Sequence, residues 1–287
     1  MAKSALLKSS IVKKYWMALT GLFLCLFLAG HLAGNLQLIF GTSLQFNEYA
    51  LFMTTNPAVK ILSYLTYISI LFHAIDGILL TFQNKAARPI AYAKTNPSAN
   101  SSFASRNMAV LGTIILVFIV THMVNFWAKM HFDENMPIFT KTIDVNGAPQ
   151  IFYVGTQTGQ YFPVEQVATK DESIEAAAMT KQFVIKNRTE LYFTRADVKT
   201  ADLYKDLHKL TFDFFRDSKI GLAATIGYVL AMLALAFHLW HGFQSAFQSL
   251  GATGSKLTPA IKFFGKLFSV IVPLLFAIIP IYIHFSK

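Results

Sequence analysis

Five long and mostly apolar stretches constrain this chain of 287 residues more than any other feature. Each reaches the ~20 residues that a helix needs to cross a bilayer. Backbone groups in hydrocarbon must satisfy one another, so stretches of this length are expected to be helical. The sequence therefore predicts an all-α integral membrane fold with five transmembrane helices, at 15–40, 59–83, 107–130, 219–248 and 259–285.

The composition agrees with a membrane protein rather than a soluble domain. Apolar residues make up 54% of the chain and charged residues 14%, which is typical of a multispan protein. The first stretch is longer than the apolar core of a secretory signal and lacks a convincing cleavage site, so it is interpreted as an anchor. The single cysteine, Cys25, lies inside it, which excludes a disulfide framework within this chain.

The charged residues are unevenly distributed, and this predicts an orientation. Thirteen of the fifteen acidic residues lie between Asp133 and Asp217. Short basic loops stay in the cytoplasm, so the N-terminus is expected inside, and 41–58, 131–218 and the C-terminus outside. The net charge of +10 does not indicate nucleic acid, because no aromatic-basic platform accompanies the cations. The basic, acid-free segments contain Lys3, Lys8, Lys13, Lys14, Lys85, Arg88, Lys94, Arg106, Lys256, Lys262 and Lys266.

The chain divides into three parts, with helices one to three in 1–130, a polar insertion in 131–218, and helices four and five in 219–287. The insertion is expected to form a small polar cap outside the membrane.

Within this cap, Asn146-Gly147 between two β-rich segments favours a type I′ hairpin, with a plain loop as the alternative. A short helix is expected at 171–182. A second helix is expected at 202–217, where Leu203, Leu207, Leu210 and Phe214 share one face. It is expected to lie in the membrane surface or to pack on the cap.

Four of the apolar stretches carry a deep histidine: His31, His73, His122 and His238. Ionisable side chains in hydrocarbon are costly, so an intramembrane histidine is a functional candidate. Four of them on four helices predict two sites with two imidazoles each. Haem is the cofactor that is held by axial side chains from facing helices, so two b-type haems are expected.

The depths of the histidines predict how they pair. His31 and His122 lie about the same distance along their helices from the cytoplasmic side, and His73 and His238 share a second level, ~8–9 Å from the first. Glycines four residues later, Gly77 and Gly242, lie on the histidine's own helix face and leave room for a flat macrocycle.

Around His31, Gly30 and Gly34 are the corresponding candidates. His241 is an alternative ligand to His238, since it lies on the same helix three residues further on.

These residues also carry a family resemblance. The motifs are Gly21 followed by Gly30-His31-Leu-Ala-Gly34, Phe72-His73-Ala-Ile-Asp-Gly77, Gly112 with Thr121-His122, and Phe237-His238-Leu-Trp-His241-Gly242. In order and spacing they resemble the dihaem, five-helix cytochrome b anchor of the succinate:quinone oxidoreductases, the succinate dehydrogenase and fumarate reductase family. The resemblance covers the five helices and fails over about 135–200.

The resemblance implies specific roles for these residues. His31 and His122 bind the distal haem, and His73 and His238 the proximal one; the distance from the last ligand to Gly251 favours His238 over His241. The implied partners are a flavoprotein and an iron–sulfur subunit on the cytoplasmic face of a bacterial inner membrane, with membrane lipid around the helices. A dimer of the whole complex is compatible with the resemblance.

The implied electron acceptor or donor is a quinone, usually menaquinone in this type of anchor, and Glu48 is the nearest candidate for a carboxylate beside it. A glutamate that some fumarate reductases have two residues before the fourth ligand is Ala236 here, which does not support that proton route. Thr20 is a candidate to meet haem propionates, and Asp76 to take part in proton transfer.

Two other classes of protein remain open from the sequence. One is the cytochrome b anchor of another oxidoreductase, such as a hydrogenase or formate dehydrogenase. The other is a transporter that uses intramembrane histidines as proton relays without haem. No phosphate loop, nucleophile triad or zinc spacing is visible, so we do not expect this chain itself to act on a dicarboxylate.

Overall fold

The computed structural model of the protein describes residues 10–87, 90, 96, 99, 101–168 and 179–286. Most of the helix predicted at 171–182 lies outside these residues, as do Lys3, Lys8, Arg88 and Lys94. The described chain is mostly helical, and five of its helices are long and apolar enough to cross a membrane. The predicted five-span fold is thereby confirmed.

We number the membrane helices α1 to α5. They are α1 Ser10–Asn35, α2 Pro57–Ala86, α3 Met108–His122, α4 Gly221–Ser249 and α5 Leu257–Phe285. The short helix Gln37–Phe40 prolongs α1. A π-helical turn, Met123–Ala128, and the short helix Lys129–Phe132 prolong α3. Such π-turns are rare overall, but those that occur are often found at functional sites. This one begins directly after His122.

The start of α2 shows how local sequence defines these helices. Asn56 caps it, because the side-chain oxygen accepts hydrogen bonds from the backbone N–H groups of Ala58 and Val59, at 3.0 and 3.3 Å. Pro57 occupies the first helical position, where a missing N–H costs nothing.

Four of the membrane helices form a four-cornered bundle. α1 packs against α2 and α4, and α3 packs against α4 and α2. α1 and α3 therefore face each other across one diagonal, and α2 and α4 across the other. α5 lies outside this square against α4 and α1. Apolar side chains such as Leu26, Val117 and Leu230 are exposed on the outside of the bundle, as expected of helices that face lipid.

The helices alternate in direction, so the bundle has two different ends. One end carries the connecting helix, Ser43–Thr55, and the cap; we call it the cap end, and the other the open end. Thr42 and Gln45 start the connecting helix with a capping box, in which each side chain accepts a hydrogen bond from the other's backbone.

The cap lies between the end of α3 and the start of α4 and contains two small antiparallel sheets. The order in the first is β1-β2-β3, and in the second β4-β5-β6. Asn146 and Gly147 make the turn between β1 and β2 with positive φ angles of 56° and 83°, and Val145 pairs with Ala148. The predicted hairpin is thereby confirmed. The strands are β1 Thr140–Val145, β2 Ala148–Val154, β3 Tyr161–Pro163, β4 Phe183–Lys186, β5 Glu190–Phe193 and β6 Val198–Asp202.

The cap helix, Leu207–Arg216, begins five residues later than the predicted 202–217, because Asp202 ends β6. Thr211 and Phe215 are its buried side chains. Phe215 belongs to a core cluster with residues from the ends of α1 and α5. The apolar face of the cap helix therefore packs against protein, which is closer to the packed alternative than to a helix lying in the membrane surface.

The cap holds the cap-end termini of α3 and α5 through their free carbonyl groups. Lys205 Nζ donates to the Met130 carbonyl and Arg188 Nη1 to the His131 carbonyl, both at 2.7 Å. Arg216 donates to the carbonyls of Ile283 and Ser286, at 3.0 and 2.8 Å. Cations near these carbonyls also favour the helix dipole.

The cap helix is also joined to the connecting helix. The Asn47 side chain is almost completely buried; its amide donates to Asp206 Oδ1 at 2.9 Å and its oxygen accepts from the His208 N–H at 3.1 Å. A buried amide satisfied on both sides fixes the register between two elements.

Candidate functional site

The four deep histidines meet as two pairs across the diagonals of the bundle. The rings of His31 on α1 and His122 on α3 have their centres 5.9 Å apart and stand almost perpendicular, at 88°. The rings of His73 on α2 and His238 on α4 have their centres 6.2 Å apart, at 69°. The structure thus brings together the pairs expected from helix depth.

The two pairs lie at different depths. His31 lies nine residues before Phe40, and His122 ten residues before Phe132. His73 and His238 lie 16 and 17 residues after the starts of their helices at the same end. The difference of about seven residues corresponds to ~10 Å along the bundle axis, so the His31–His122 pair is nearer to the cap.

The separation within each pair fits one metal ion between two imidazoles. A metal–imidazole bond is ~2.0–2.1 Å long, so two rings that ligate one metal from opposite sides have centres ~6 Å apart. Among the described residues no three or more His, Cys, Asp or Glu side chains cluster in a way that could hold a metal. Each pair offers at most two imidazole nitrogens, so a metal ion held there would need its other ligands from a cofactor such as haem.

His238 adds a second sign of a missing partner. Its Nδ1 atom is buried and forms no hydrogen bond with the described part of the chain. Buried polar atoms are nearly always satisfied, so an orphan calls for an explanation such as an unseen ligand. The residues present therefore fit a haem in the His73–His238 pair.

The ring of His73 is oriented from α1. Thr20 Oγ1 donates to the Trp16 carbonyl at 2.9 Å and lies 3.3 Å from His73 Nδ1. With the hydroxyl proton on that carbonyl, the threonine oxygen can accept from Nδ1–H, the tautomer that leaves Nε2 with the lone pair that a metal needs. Thr20 thus contacts His73, and its meeting with a propionate stays a prediction.

His122 has a comparable neighbour on α4. Its Nδ1 lies 3.3 Å from the hydroxyl of Tyr228. Sequence reasoning missed Tyr228, because a single tyrosine in an apolar stretch carries no signal by itself. The interactions of Thr20 and Tyr228 are of the kind that orients metal-binding imidazoles and tunes their basicity.

Aromatic side chains surround the pair near the cap. Phe27 stacks on His31, with ring centres 5.2 Å apart. The ring centres of Phe118 and Phe126 lie 5.7 and 5.3 Å from the ring centre of His122. An apolar shell of this kind excludes water and lowers the local dielectric, which influences the redox potential of any bound group.

The glycines expected to make room for a macrocycle have different neighbours. A Cβ at Gly77 would lie 3.9 Å from the Met17 methyl group, and one at Gly242 the same distance from the Met108 methyl group. These two positions face methionines, and their role in haem packing stays a prediction.

Near His31, the space beside Gly34 is filled by the ring of Tyr49, 2.5 Å from an added Cβ. Gly34 is therefore a packing position for the connecting helix, which corrects the expectation that it makes room for a cofactor. Gly30 faces open space.

Two other glycines approach the histidines directly. A Cβ at Gly21 on α1 would lie 3.2 Å from His73 Cε1, and one at Gly112 on α3 would lie 3.7 Å from His238 Cε1. No role was expected of them beyond the family motif. The signal was present, since each lies ten residues before the histidine of its own helix.

His241 does not take part in either pair. Its Nε2 lies 3.2 Å from the hydroxyl of Ser245 on the same helix, and the side chain is half-buried. The geometry thus favours His238 over His241 as the partner of His73.

A cleft of about 650 Å³ opens at the cap end, between the end of α1 and the connecting helix. It contains Glu48, and it begins at Ala33, two residues beyond His31. Glu48 is exposed, and its charge raises the pKa of Tyr204 in the cap, although burial is the larger cause. The cleft is lined by Ala33, Leu36, Gln37, Phe40, Gly41, Gln45, Glu48, Tyr49 and Phe52.

Comparison of the chain with protein-family models, with curated proteins and with solved structures finds no match.

Proposed function

We propose that the protein is a haem-bearing membrane anchor that passes electrons between the iron–sulfur subunit of a succinate dehydrogenase or fumarate reductase and a membrane quinone. The observation that carries the proposal is the pair of diagonal histidine contacts, each with a ring separation that would suit two imidazoles on one metal ion. Four half-buried imidazoles inside an apolar bundle would otherwise be costly.

A b-type haem held by each pair supplies one-electron redox chemistry. The chain itself would supply the imidazole nitrogens that hold the iron, orient His73 and His122 through Thr20 and Tyr228, and exclude water with phenylalanines. Because the pairs lie ~10 Å apart along the bundle axis, they divide a crossing of the membrane into shorter steps.

The cleft beside Glu48 supports quinone binding near the His31–His122 pair. The cleft is lined by apolar residues, among them Leu36, Phe40 and Phe52, and Gln45 and Glu48 contribute polar groups. Ligand sites typically combine an apolar lining with a few convergent polar groups. An exposed carboxylate at the margin also gives protons a path to solvent. Menaquinone is the quinone that we propose.

The charges at the open end support docking of the flavoprotein and iron–sulfur subunits there. The described charged residues of that end are all basic except Asp76 on α2. By the positive-inside tendency, this end faces the cytoplasm and the cap lies outside. The basic residues are Lys13, Lys14, Lys85, Arg106, Lys256, Lys262 and Lys266.

The proposal is tested by purifying the complex in detergent and measuring its haem content and its subunits. We expect two b-type haems for each copy of this chain, together with a covalent flavoprotein. Replacing either member of a pair, as in His31→Ala or His238→Ala, should remove one haem, whereas His241→Ala should retain both.

A purified chain without a Soret band would refute the haem assignment and favour a proton-relay transporter. A nickel or molybdenum subunit in place of the flavoprotein would keep the haems but assign the anchor to a hydrogenase or formate dehydrogenase.

A further inference from the structure

The bundle repeats itself, residue by residue, in its two halves. α1 carries Met17, Gly21 and His31, and α3 carries Met108, Gly112 and His122, with identical spacings of four and ten residues. The sequence shows no obvious tandem repeat, because the connection between the second pair of helices also holds the whole cap.

The second helix of each half continues the correspondence. α2 carries Phe72-His73 and then Gly77, and α4 carries Phe237-His238 and then Gly242, again with identical spacing. Phe72 packs edge-on against Trp16 of α1, with ring centres 6.1 Å apart. Phe237 packs edge-on against Phe103, which precedes α3, with ring centres 5.8 Å apart.

The contacts between the helices repeat as well. Gly21 faces the ring of His73 in the first half, and Gly112 faces the ring of His238 in the second. Gly77 faces the methyl group of Met17 in the same way as Gly242 faces that of Met108, at 3.9 Å in both halves. Equivalent helices lie on the diagonals, so a half-turn about the bundle axis exchanges the two hairpins. Both histidine pairs join equivalent residues and lie on this pseudo-twofold axis.

From this arrangement we propose that Gly21 and Gly112 are the positioning residues of the His73–His238 pair. The inference rests on the proposed function, because the rings are held in order to ligate a haem. Each glycine lets the backbone of the neighbouring helix approach one imidazole edge at Cε1, and so sets the rotation of that ring about its bond to the metal. The glycines on the histidines' own helices, Gly77 and Gly242, pack the methionines instead.

The two halves differ in how tightly this contact is made. The added Cβ at Gly21 is 3.2 Å from His73 Cε1, so the ring has to yield by a few tenths of an ångström. The 3.7 Å at Gly112 is an ordinary van der Waals contact. A methyl group at Gly21 therefore disturbs the pair more than one at Gly112.

The test compares Gly21→Ala and Gly112→Ala with a control substitution, Gly227→Ala on α4. The control glycine faces open space, and all three changes bring the same gain in helix propensity. The readouts, taken on the purified complex, are the low-spin ferric haem signals in electron paramagnetic resonance, whose g values depend on the rotation of the axial rings, and a redox titration that resolves the two haems.

We expect Gly21→Ala to shift the g value and the midpoint potential of the His73–His238 haem alone, Gly112→Ala to shift the same signal less, and the control to change nothing. Equal shifts in the control, a shift of the other haem, or an unchanged signal in both test variants would overturn the inference. If Gly21→Ala does not assemble, Gly112→Ala decides, because an unchanged signal there also overturns it. Absence of haem from the unmodified chain removes the proposed function as well, whereas haem that is present yet unaffected removes only this inference.

Discussion

At the scale of single residues, the bond between Thr20 and His73 determines which imidazole nitrogen is available. The threonine hydroxyl lies within hydrogen-bond distance of the Trp16 carbonyl and of His73 Nδ1. With its proton on that carbonyl, the hydroxyl oxygen accepts from Nδ1–H, so that α1 would select the tautomer of His73 on α2.

We predict that Thr20→Val weakens binding of the haem at His73 and His238, because loss of an outer partner of a metal ligand typically costs ~10–100-fold in affinity. The measurement is the amount of haem that remains at the His73–His238 pair after dialysis against an apoprotein that takes up haem. Thr66→Val is a matched control, since Thr66 is also buried and bonds to its own helix, at Leu62. Equal haem loss in both variants would show that the effect is one of helix packing.

Tyr228 allows a parallel prediction for the other pair. Tyr228→Phe removes the hydroxyl beside His122 Nδ1 and keeps the aromatic contacts with Phe118 and Phe215. We expect a changed midpoint potential of the haem nearer the cap and an unchanged one for the other, as seen in a redox titration. A shift of both potentials would contradict the assignment.

At the scale of elements, the cap helix is fixed to the bundle from several sides. Arg216 donates to two carbonyls at the end of α5, and His284 Nδ1 donates to the Phe215 carbonyl at 2.7 Å. Arg216 of the cap helix therefore binds the end of α5, while His284 of α5 binds the end of the cap helix.

We predict that Arg216→Gln destabilises the docking of the cap helix by about 1–3 kcal/mol, the usual range for hydrogen bonds of a charged group. The measurement is the loss of amide exchange protection in Leu207–Arg216. Arg195→Gln, an exposed arginine near the β5–β6 turn, is the control and should leave protection unchanged.

The same helix should loosen in acid. Burial lowers the pKa of His208; Asp206 opposes this shift and Arg216 adds to it. Because the folded state then binds a proton less readily than the unfolded state, the contribution to stability is full above pH ~6.5 and declines as the pH falls below that value.

Exchange protection of the cap helix should therefore decrease between pH 7.5 and pH 5.5, and His208→Gln should flatten this dependence. His131→Gln serves as the control at the same end of the bundle. If the His208→Gln variant retains the full dependence, another group is responsible.

At the scale of the whole molecule, the cap joins parts of the bundle that no short loop joins. It contacts the connecting helix through Leu44 and Leu51, and it holds the ends of α3 and α5. Lys205 and Arg188 of the cap both donate to carbonyl groups at the cap end of α3. Burial lowers the pKa of Lys205, and the neighbouring charge of Arg188 lowers it further.

Deleting 140–200, which removes both sheets, should lower the thermal stability of the complex and change the quinone KM while both haems remain, because the histidine pairs lie below the cap. A deletion restricted to the exposed hairpin tip, 144–149, is the control. Unchanged stability and quinone kinetics in the larger deletion would mean that the cap neither supports the bundle nor influences the cleft.

The sequence was sufficient to predict the parts of the molecule that are governed by strong local rules. A helix that crosses hydrocarbon needs a long apolar run, so the five helices could be predicted. The turn could be predicted because Asn-Gly is typical of it. The sheet β4-β5-β6 was not visible, because its strands are short and Asn187, Arg188 and Asp197 adopt positive φ without a glycine. The contacts of Gly21 and Tyr228 depend on which helices are neighbours, and that is a property of the packed bundle.

The attachment of the cap helix to Ile283 and Ser286 has a consequence for how the protein is made. The cap helix precedes α4 and α5 in the chain, so a ribosome finishes it well before its anchoring carbonyls exist. During synthesis this attachment cannot form until the fifth helix has been made. Docking of the cap helix on α5 is thus a late event in biogenesis, whereas its contact with the connecting helix can form earlier.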